Sequence, residues 1–266
     1  MPDALGDRMK RYERLASGRF LPQLPICARI DGKRFSRFTR GLARPYDERL
    51  SRLMIDTTRY LVEETQAVIG YTQSDEISLV FYRDDPDAQV FLDGRIQKLT
   101  SILAAMTTAY FGKELARRLP EKAEAMPLFD CRTWVVPTLD EAVNVLVWRE
   151  ADATKNSLSM AAREHYGHGE LHGVGGAELH ELLHAKGINW NDYPRFFKRG
   201  TYVQRRTVKR RFTADELSRL PAQHAARQDP ELEVERRVTV ELDLPPIRRV
   251  ANRRAVVFDG AEPITG

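Results

Sequence analysis

Residues 67–82 run Ala67-Val68-Ile69-Gly70-Tyr71, then Thr72-Gln73-Ser74-Asp75-Glu76, then Ile77-Ser78-Leu79-Val80-Phe81-Tyr82. Two apolar runs rich in β-branched and aromatic residues flank a polar turn. They predict a hairpin with strands at 67–71 and 77–82 and the turn at 72–76. Upstream, Ile26-Cys27-Ala28-Arg29-Ile30 predicts a strand ending at Asp31. Between the two, 47–66 places Leu50, Leu53, Met54, Tyr60 and Leu61 at helical spacing, with Asp47 as N-cap. Downstream, Ile96, Leu99, Leu103, Met106 and Tyr110 share one side of a helix over 91–119, stopped by Pro120. Residues 129–136 predict a fourth strand, closed by Pro137.

The order is strand, helix, strand, strand, helix, strand: the split βαβ or ferredoxin-like unit, of the α+β class. A helical crossover makes the first two strands parallel, and the third inserts between them, antiparallel to both. The hairpin turn therefore lies at the same sheet end as the C-terminus of the first strand. That geometry places Asp31 beside Asp75 and Glu76. Carboxylates at neighbouring strand ends commonly hold divalent metal ions against phosphates. Gly32 allows close approach of backbone to ligand, and its carbonyl can join the coordination sphere.

Apolar residues make up 42% of the 266 and charged residues 30%, which fits an ordinary globular protein with a sizeable core. No apolar run reaches the length of a membrane span, and the N-terminal residues lack an apolar signal core. Cys27 and Cys131 are too few for a disulfide framework, so a reducing cytoplasm is the expected compartment, with both thiols in the core. Between 195 and 211 stand eight Lys or Arg and no acid, interleaved with Phe196, Phe197 and Tyr202. Such a tract is either a solvated face or a surface for a polyanion. A second basic cluster is Arg248, Arg249, Arg253 and Arg254.

Beyond the palm-sized unit at 1–140, residues 141–164 predict a helix carrying Trp148, Arg149, Asp152 and Asn156. The Gly-rich stretch 166–176 predicts a connection rather than a phosphate loop, because no strand precedes it and no Lys-Ser/Thr follows. A helix over 177–186 ends at Gly187, and Thr213 with Glu216 makes a capping box. Val238, Val240 and Leu242 alternate with polar residues as a strand, and 207–266 is expected to be an accessory extension. His180-Glu181-Leu182-Leu183-His184 matches H-E-x-x-H, but Trp190 stands where the longer zinc pattern requires a third histidine. The five histidines 165, 168, 172, 180 and 184 better suit a polar face or RNA contact.

These residues together resemble the tRNA-His guanylyltransferase family of 3′–5′ nucleotide-adding enzymes. Ile30-Asp31-Gly32-Lys33-Arg34-Phe35-Ser36-Arg37-Phe38 is similar to its first signature, and Gly70 to Ser78 to its second. Ala43 to Asp47, Phe129 to Arg132, Trp148 to Asp152, Asn189-Trp190 and Phe197 to Gly200 follow in the same order. The resemblance implies a palm domain and two Mg²⁺ ions held by Asp31, the Gly32 carbonyl and Asp75, with Glu76 supporting. It implies nucleotide contacts from Asp31, Gly32, Lys33, Arg34, Phe35, Ser36, Ser74 and Asp75, and from Arg44, Asp47, Lys98 and Arg132. Asn156, Lys198, Arg199, Arg205 and Arg206 are the expected RNA contacts, in the helical segment 141–206 with its basic tract.

The implied chemistry has two steps: ATP adenylylates a tRNA 5′-monophosphate, then the 3′-hydroxyl of GTP attacks that phosphate and expels AMP. The implied assembly is a homo-oligomer, a tetramer. Ala153-Thr154-Lys155-Asn156-Ser157 replaces the His-Ile-Asn-Asn run of eukaryotic members. That departure is typical of the guanylyltransferase-like branch, which favours templated 5′-end repair over strict tRNA-His guanylylation. Three other functions remain open to the sequence: a palm-type nucleotide cyclase, a zinc peptidase at 180–184, and a non-catalytic RNA-binding protein.

Overall fold

In the computed structural model the described residues are 4–85, 87–167, 169–229 and 231–266, so His168 lies outside them. The helices are α1 (Ala4–Leu15), α2 (Phe35–Phe38), α3 (Glu48–Thr65), α4 (Ile96–Arg118), α5 (Leu139–Arg163), α6 (Gly176–Ala185), α7 (Arg195–Arg199), α8 (Ala214–Arg219), α9 (Ala225–Gln228) and α10 (Arg253–Asp259). The strands are β1 (Ile26–Gly32), β2 (Ile69–Gln73), β3 (Glu76–Phe81), β4 (Phe129–Val135), β5 (Thr201–Arg211) and β6 (Glu233–Leu242).

All strands join one sheet in the order β4-β1-β3-β2-β5-β6, every neighbouring pair antiparallel. The first four reproduce the ferredoxin-like arrangement, with β3 between β1 and β2 as the strand order requires. Alternation along each strand sorts side chains onto two faces. Ala28, Ile30, Ile77 and Leu79 meet Leu53 and Leu61 of α3 and Leu99, Leu103 and Phe111 of α4. On the opposite face, Cys27, Ile69, Tyr71 and Val80 meet Ala142, Val143 and Leu146 of α5. Burial pushes both thiols up, Cys27 to about 12 and Cys131 to about 12, so neither is a ready nucleophile.

Several boundaries moved, each for a local reason. Asp47 caps α3 as expected, accepting from the Arg49 amide at 3.0 Å. The hairpin turn shrinks to Ser74 and Asp75, because Thr72 and Gln73 pair with Ile77 and Glu76. Ser74 takes the left-handed φ of 53° that so tight a turn demands. The second long helix starts only at Ile96: Leu92, Asp93 and Gly94 all adopt positive φ, and the Gly94 carbonyl accepts from Phe20. Gly187 ends α6 at φ 74°, with its amide and that of Ile188 returning to His184 and Leu183. The Thr213–Glu216 capping box is present.

The boundary expected at 206/207 falls inside β5, and the segment beyond it builds part of the central layer. β6 pairs with β5 from Tyr202↔Leu242 to Arg211↔Glu233. Leu242, Leu244, Ile247, Val250, Val256 and Val257 are buried in the same cluster as Cys27 and Tyr71. Glu150 on α5 ties these pieces together. It accepts from the Tyr202 hydroxyl at 2.8 Å and the Ile247 amide at 3.1 Å.

Candidate active site

Register sets the site. Asp31 lies opposite Glu76 on β3 and opposite Asp130 on β4, so three carboxylates line one row across the sheet. Two residues earlier on the same face, Arg29 lies opposite Ser78 and Arg132. The hairpin turn is tied to the end of β1 by the Gly32 amide, which donates to the Asp75 carbonyl at 3.1 Å. This bond brings the two acidic clusters of the sequence together.

Electrostatics divide the acids into two kinds. Glu76 is neutralised: Arg149 donates to it twice, at 2.5 and 2.8 Å, and also to Asp152 at 2.7 Å. Burial raises the Glu76 carboxyl, and Arg149 and Arg29 act against that rise. Asp75 is held differently. Burial raises it, the Asp31 charge raises it further, and the Ser74 hydroxyl donates to it at 3.1 Å. Asp31 is raised by burial and then by Asp130, against lowering by Arg29, Arg132 and Arg149. Asp31 and Asp75 are therefore partly buried anions that repel each other, an environment that a divalent cation would relieve.

Beside them opens a cleft of 610 Å³. Arg34, Phe35, Ser36, Arg44, Asp47, Ser74 and Asp75 line it, all of them expected nucleotide contacts. Arg34 has a left-handed φ of 57° just before α2. At Gly32 an added Cβ would stand 2.2 Å from the Phe35 ring, so only glycine fits where β1 turns into this cleft. Asp47 is already engaged on both oxygens by the amides of Ala43 and Arg49 and by the Arg49 guanidinium, which holds its carboxyl low.

Other expectations fall elsewhere. Lys98 is exposed on the first turn of α4, at the far end of the sheet. Thr100 on the same helix meets Thr133, opposite Ala28, whereas Thr108 reaches the Phe129 amide near Asp31. Arg132 points to the α5 face, 3.9 Å from Asp130, outside the cleft lining. Half of the 195–211 tract is paired: Arg195 with Asp243, Arg206 with Glu262, Arg210 with Glu216 and Arg211 with Glu231, while Lys198, Arg199, Arg205 and Lys209 meet no acid among the described residues. Lys198 turns inward to the Asn191 carbonyl over the Trp190 ring, and the Arg199 carbonyl accepts from Tyr71. Asn156 is exposed on α5, and Arg205 is half-buried on β5. Phe196 packs edge-on and Phe197 tilted against Tyr46, and all three wall the cleft.

Sequence reasoning missed Asp130, Tyr46, Met160 and Arg163 at this end. Asp130 was readable from strand alternation once the β1–β4 register was known. Met160 and Arg163 reach the cleft only through the packing of α5. Among the described residues no group of three His, Cys, Asp or Glu converges as a metal cage. His180 of the H-E-x-x-H stretch packs edge-on against Trp190 instead.

A ferredoxin-like sheet with a repelling carboxylate pair at one end, beside a nucleotide-sized cleft, defines a palm-type nucleotidyltransferase. Residues 6–137 match the family model described as tRNAHis guanylyltransferase. The tRNA(His) guanylyltransferase of Schizosaccharomyces pombe is 31% identical over 211 residues, 73% of this chain and 77% of that protein. A bacterial tRNA(His) guanylyltransferase (Thg1)-like protein solved in complex with ATP superposes with a TM-score of 0.72 at 36% identity, covering 76% of this chain and 87% of that one. The GTP complex of such a bacterial protein gives 0.65 at 33% identity, over 76% and 86%. The chain belongs to the tRNA(His) guanylyltransferase family.

Proposed function

We propose that this protein adds nucleotides in the 3′–5′ direction to the 5′ end of a tRNA, GTP preferred, after ATP-dependent activation of that end. The observation that carries the reading is the Gly32–Asp75 hydrogen bond, which sets Asp31 and Asp75 side by side next to the 610 Å³ cleft. The relatives solved with ATP and with GTP bind both nucleotides on the same fold. In this chain the cleft would take the nucleotide, with Arg34 and Arg44 facing its phosphates and the Tyr46–Phe197 wall facing its base.

Two Mg²⁺ ions would be held by Asp31, the Gly32 carbonyl and Asp75. The residues fit that role, because the mutual repulsion of Asp31 and Asp75 is unmatched by a direct cation on Asp75 among the described residues. Such ions, when bound, orient the attacking oxygen and stabilise the leaving phosphate. Glu76 serves by holding Arg149 and thereby fixing α5 against the sheet behind Asp31 and Asp75. Departure of residues 153–157 from the His-Ile-Asn-Asn pattern supports templated 5′-end repair alongside tRNA-His guanylylation. The reading also places the protein in the cytoplasm, as a homo-oligomer.

Incubation with ATP, GTP, Mg²⁺ and a panel of intact and 5′-truncated tRNAs tests the reading. Extension of the 5′ end that disappears in Asp31→Ala and Asp75→Ala is the expected outcome. Cyclic nucleotide from triphosphate alone would instead indicate a cyclase.

A further inference from the structure

Cations without a carboxylate partner are not confined to the tract where the sequence concentrates positive charge, in which Lys198, Arg199, Arg205 and Lys209 pair with no acid among the described residues. Four arginines of the 195–211 tract are tied to acids of the C-terminal segments. A different basic surface stands open on the side of α2 away from the cleft. A groove of 490 Å³ is lined by Lys33, Arg34, Arg37, Phe38, Lys122 and the 125–128 segment, and none of its lining residues is acidic. Lys33, Arg34 and Arg37 are exposed and make no ion pair among the described residues. Lys122 donates to the Arg40 carbonyl at 2.8 Å and lies 5.7 Å over the Phe38 ring.

The groove begins at the site. Arg34 lines both it and the nucleotide cleft, and the Lys33 amide bonds the Leu128 carbonyl at 2.8 Å. Lys33 follows directly on Asp31-Gly32. The opposite wall is apolar and open to solvent: Met126 is 88% exposed and Leu128 48%. Unpaired cations along one wall and exposed apolar groups along the other suit a single strand, phosphates on the first and bases on the second.

We infer that this groove carries the phosphodiester backbone of the single-stranded or frayed RNA end next to the reacting 5′ position. The inference rests on the proposed tRNA 5′-end reaction. It locates that strand on α2 and the 122–128 segment.

The test is tRNA binding to the full chain over a salt series, with Arg37→Gln/Lys122→Gln as the mild variant and Arg37→Glu/Lys122→Glu as the strong one. Melting temperature serves as the folding control. The mild variant should bind about 10-fold more weakly. Its plot of log affinity against log salt should be flatter by about 1.4, the share of two phosphates of a single strand. Its KM for ATP should be unchanged. Unchanged tRNA affinity and slope in folded variants would overturn the inference. So would a raised KM for GTP with tRNA affinity intact, which makes the groove a nucleotide site. A changed molecular mass with tRNA affinity intact would also overturn it, by making the groove a contact between copies. Binding is measured without turnover, so a wild type that binds tRNA through the groove but never extends it would sink the proposed function alone.

Discussion

Arg149 grips Glu76 side-on, Nε to Oε1 at 2.5 Å and Nη2 to Oε2 at 2.8 Å, with side-chain exposures of 9% and 14%. A bidentate guanidinium–carboxylate pair this dry is fixed in geometry. It splits two adjacent acids into different jobs, leaving Asp75 free to face Asp31 while Glu76 anchors α5 to the sheet.

Arg149→Met should cost about 3 kcal/mol in denaturant unfolding, because it strips both hydrogen bonds from a mostly buried Glu76 and leaves only Arg29, at 3.8 Å, to offset its charge. Adding Glu76→Gln should restore much of that loss, since the stranded charge goes with it. A double variant no more stable than Arg149→Met would show that the pair is not what is being lost.

Stability of the metal-free protein should fall as pH rises from 3.8, the ordinary Asp value, through the raised values of Asp31 and Asp75. The sign follows from proton counting: raised carboxyls bind protons more tightly in the native than in the unfolded chain, so acid favours the native state in that window. Asp75→Asn should accordingly stabilise the metal-free protein at neutral pH while lowering 5′-extension by at least about 10³-fold. The acid limb of activity should lie above 3.8 and move down as Mg²⁺ approaches saturation. Urea midpoints and pH–rate profiles at two Mg²⁺ concentrations check both statements.

Gly32→Ala should lower the melting temperature and the activity together. Its Cβ would meet the Phe35 ring at 2.2 Å, and Phe35 is wedged among Phe38, Phe111 and Phe129. Overpacking of this kind costs roughly 1–3 kcal/mol. Calorimetry beside the extension assay reads both effects.

Truncation after residue 206 should leave no folded protein. It removes Leu242, Leu244, Ile247, Val250, Val256 and Val257 from the core, at roughly 1.5–3 kcal/mol each. Their sum is of the order of a whole domain's stability, about 5–15 kcal/mol. The milder Tyr202→Phe should cost about 1–3 kcal/mol by leaving a buried Glu150 oxygen unpartnered. Circular dichroism of the truncated chain and urea titration of the point variant measure these.

His180→Ala/His184→Ala should leave activity and metal dependence within about twofold of wild type, as exposed residues remote from special features usually do. Tight, stoichiometric zinc lost in that variant would reopen the peptidase reading.

Much of the site was legible in the chain because it rests on local chemistry and strand order. The polar turn between two apolar runs, the Asp-Gly after a strand, and the crossover helix capped by Asp47 are short-range signals. Strand order alone brings Asp31 to Asp75. Register and distant pairing were not legible. Asp130 joins the row only because β4 pairs with β1 in one register, and Lys98 is left at the other end by the length of α4 before Thr108.

The amino-acid sequence by itself determined the palm unit, the carboxylate pair and the family. Those depend on periodicity, turn chemistry and motif order, which neighbours along the chain carry. Tertiary structure alone decided where the positive charge is free. Of the eight basic residues between 195 and 211, four are met by Asp243, Glu262, Glu216 and Glu231, while Lys33, Arg34 and Arg37 beside the site meet no acid among the described residues. A charge is available to a ligand only when no partner distant in sequence has reached it first, and only the folded chain settles that.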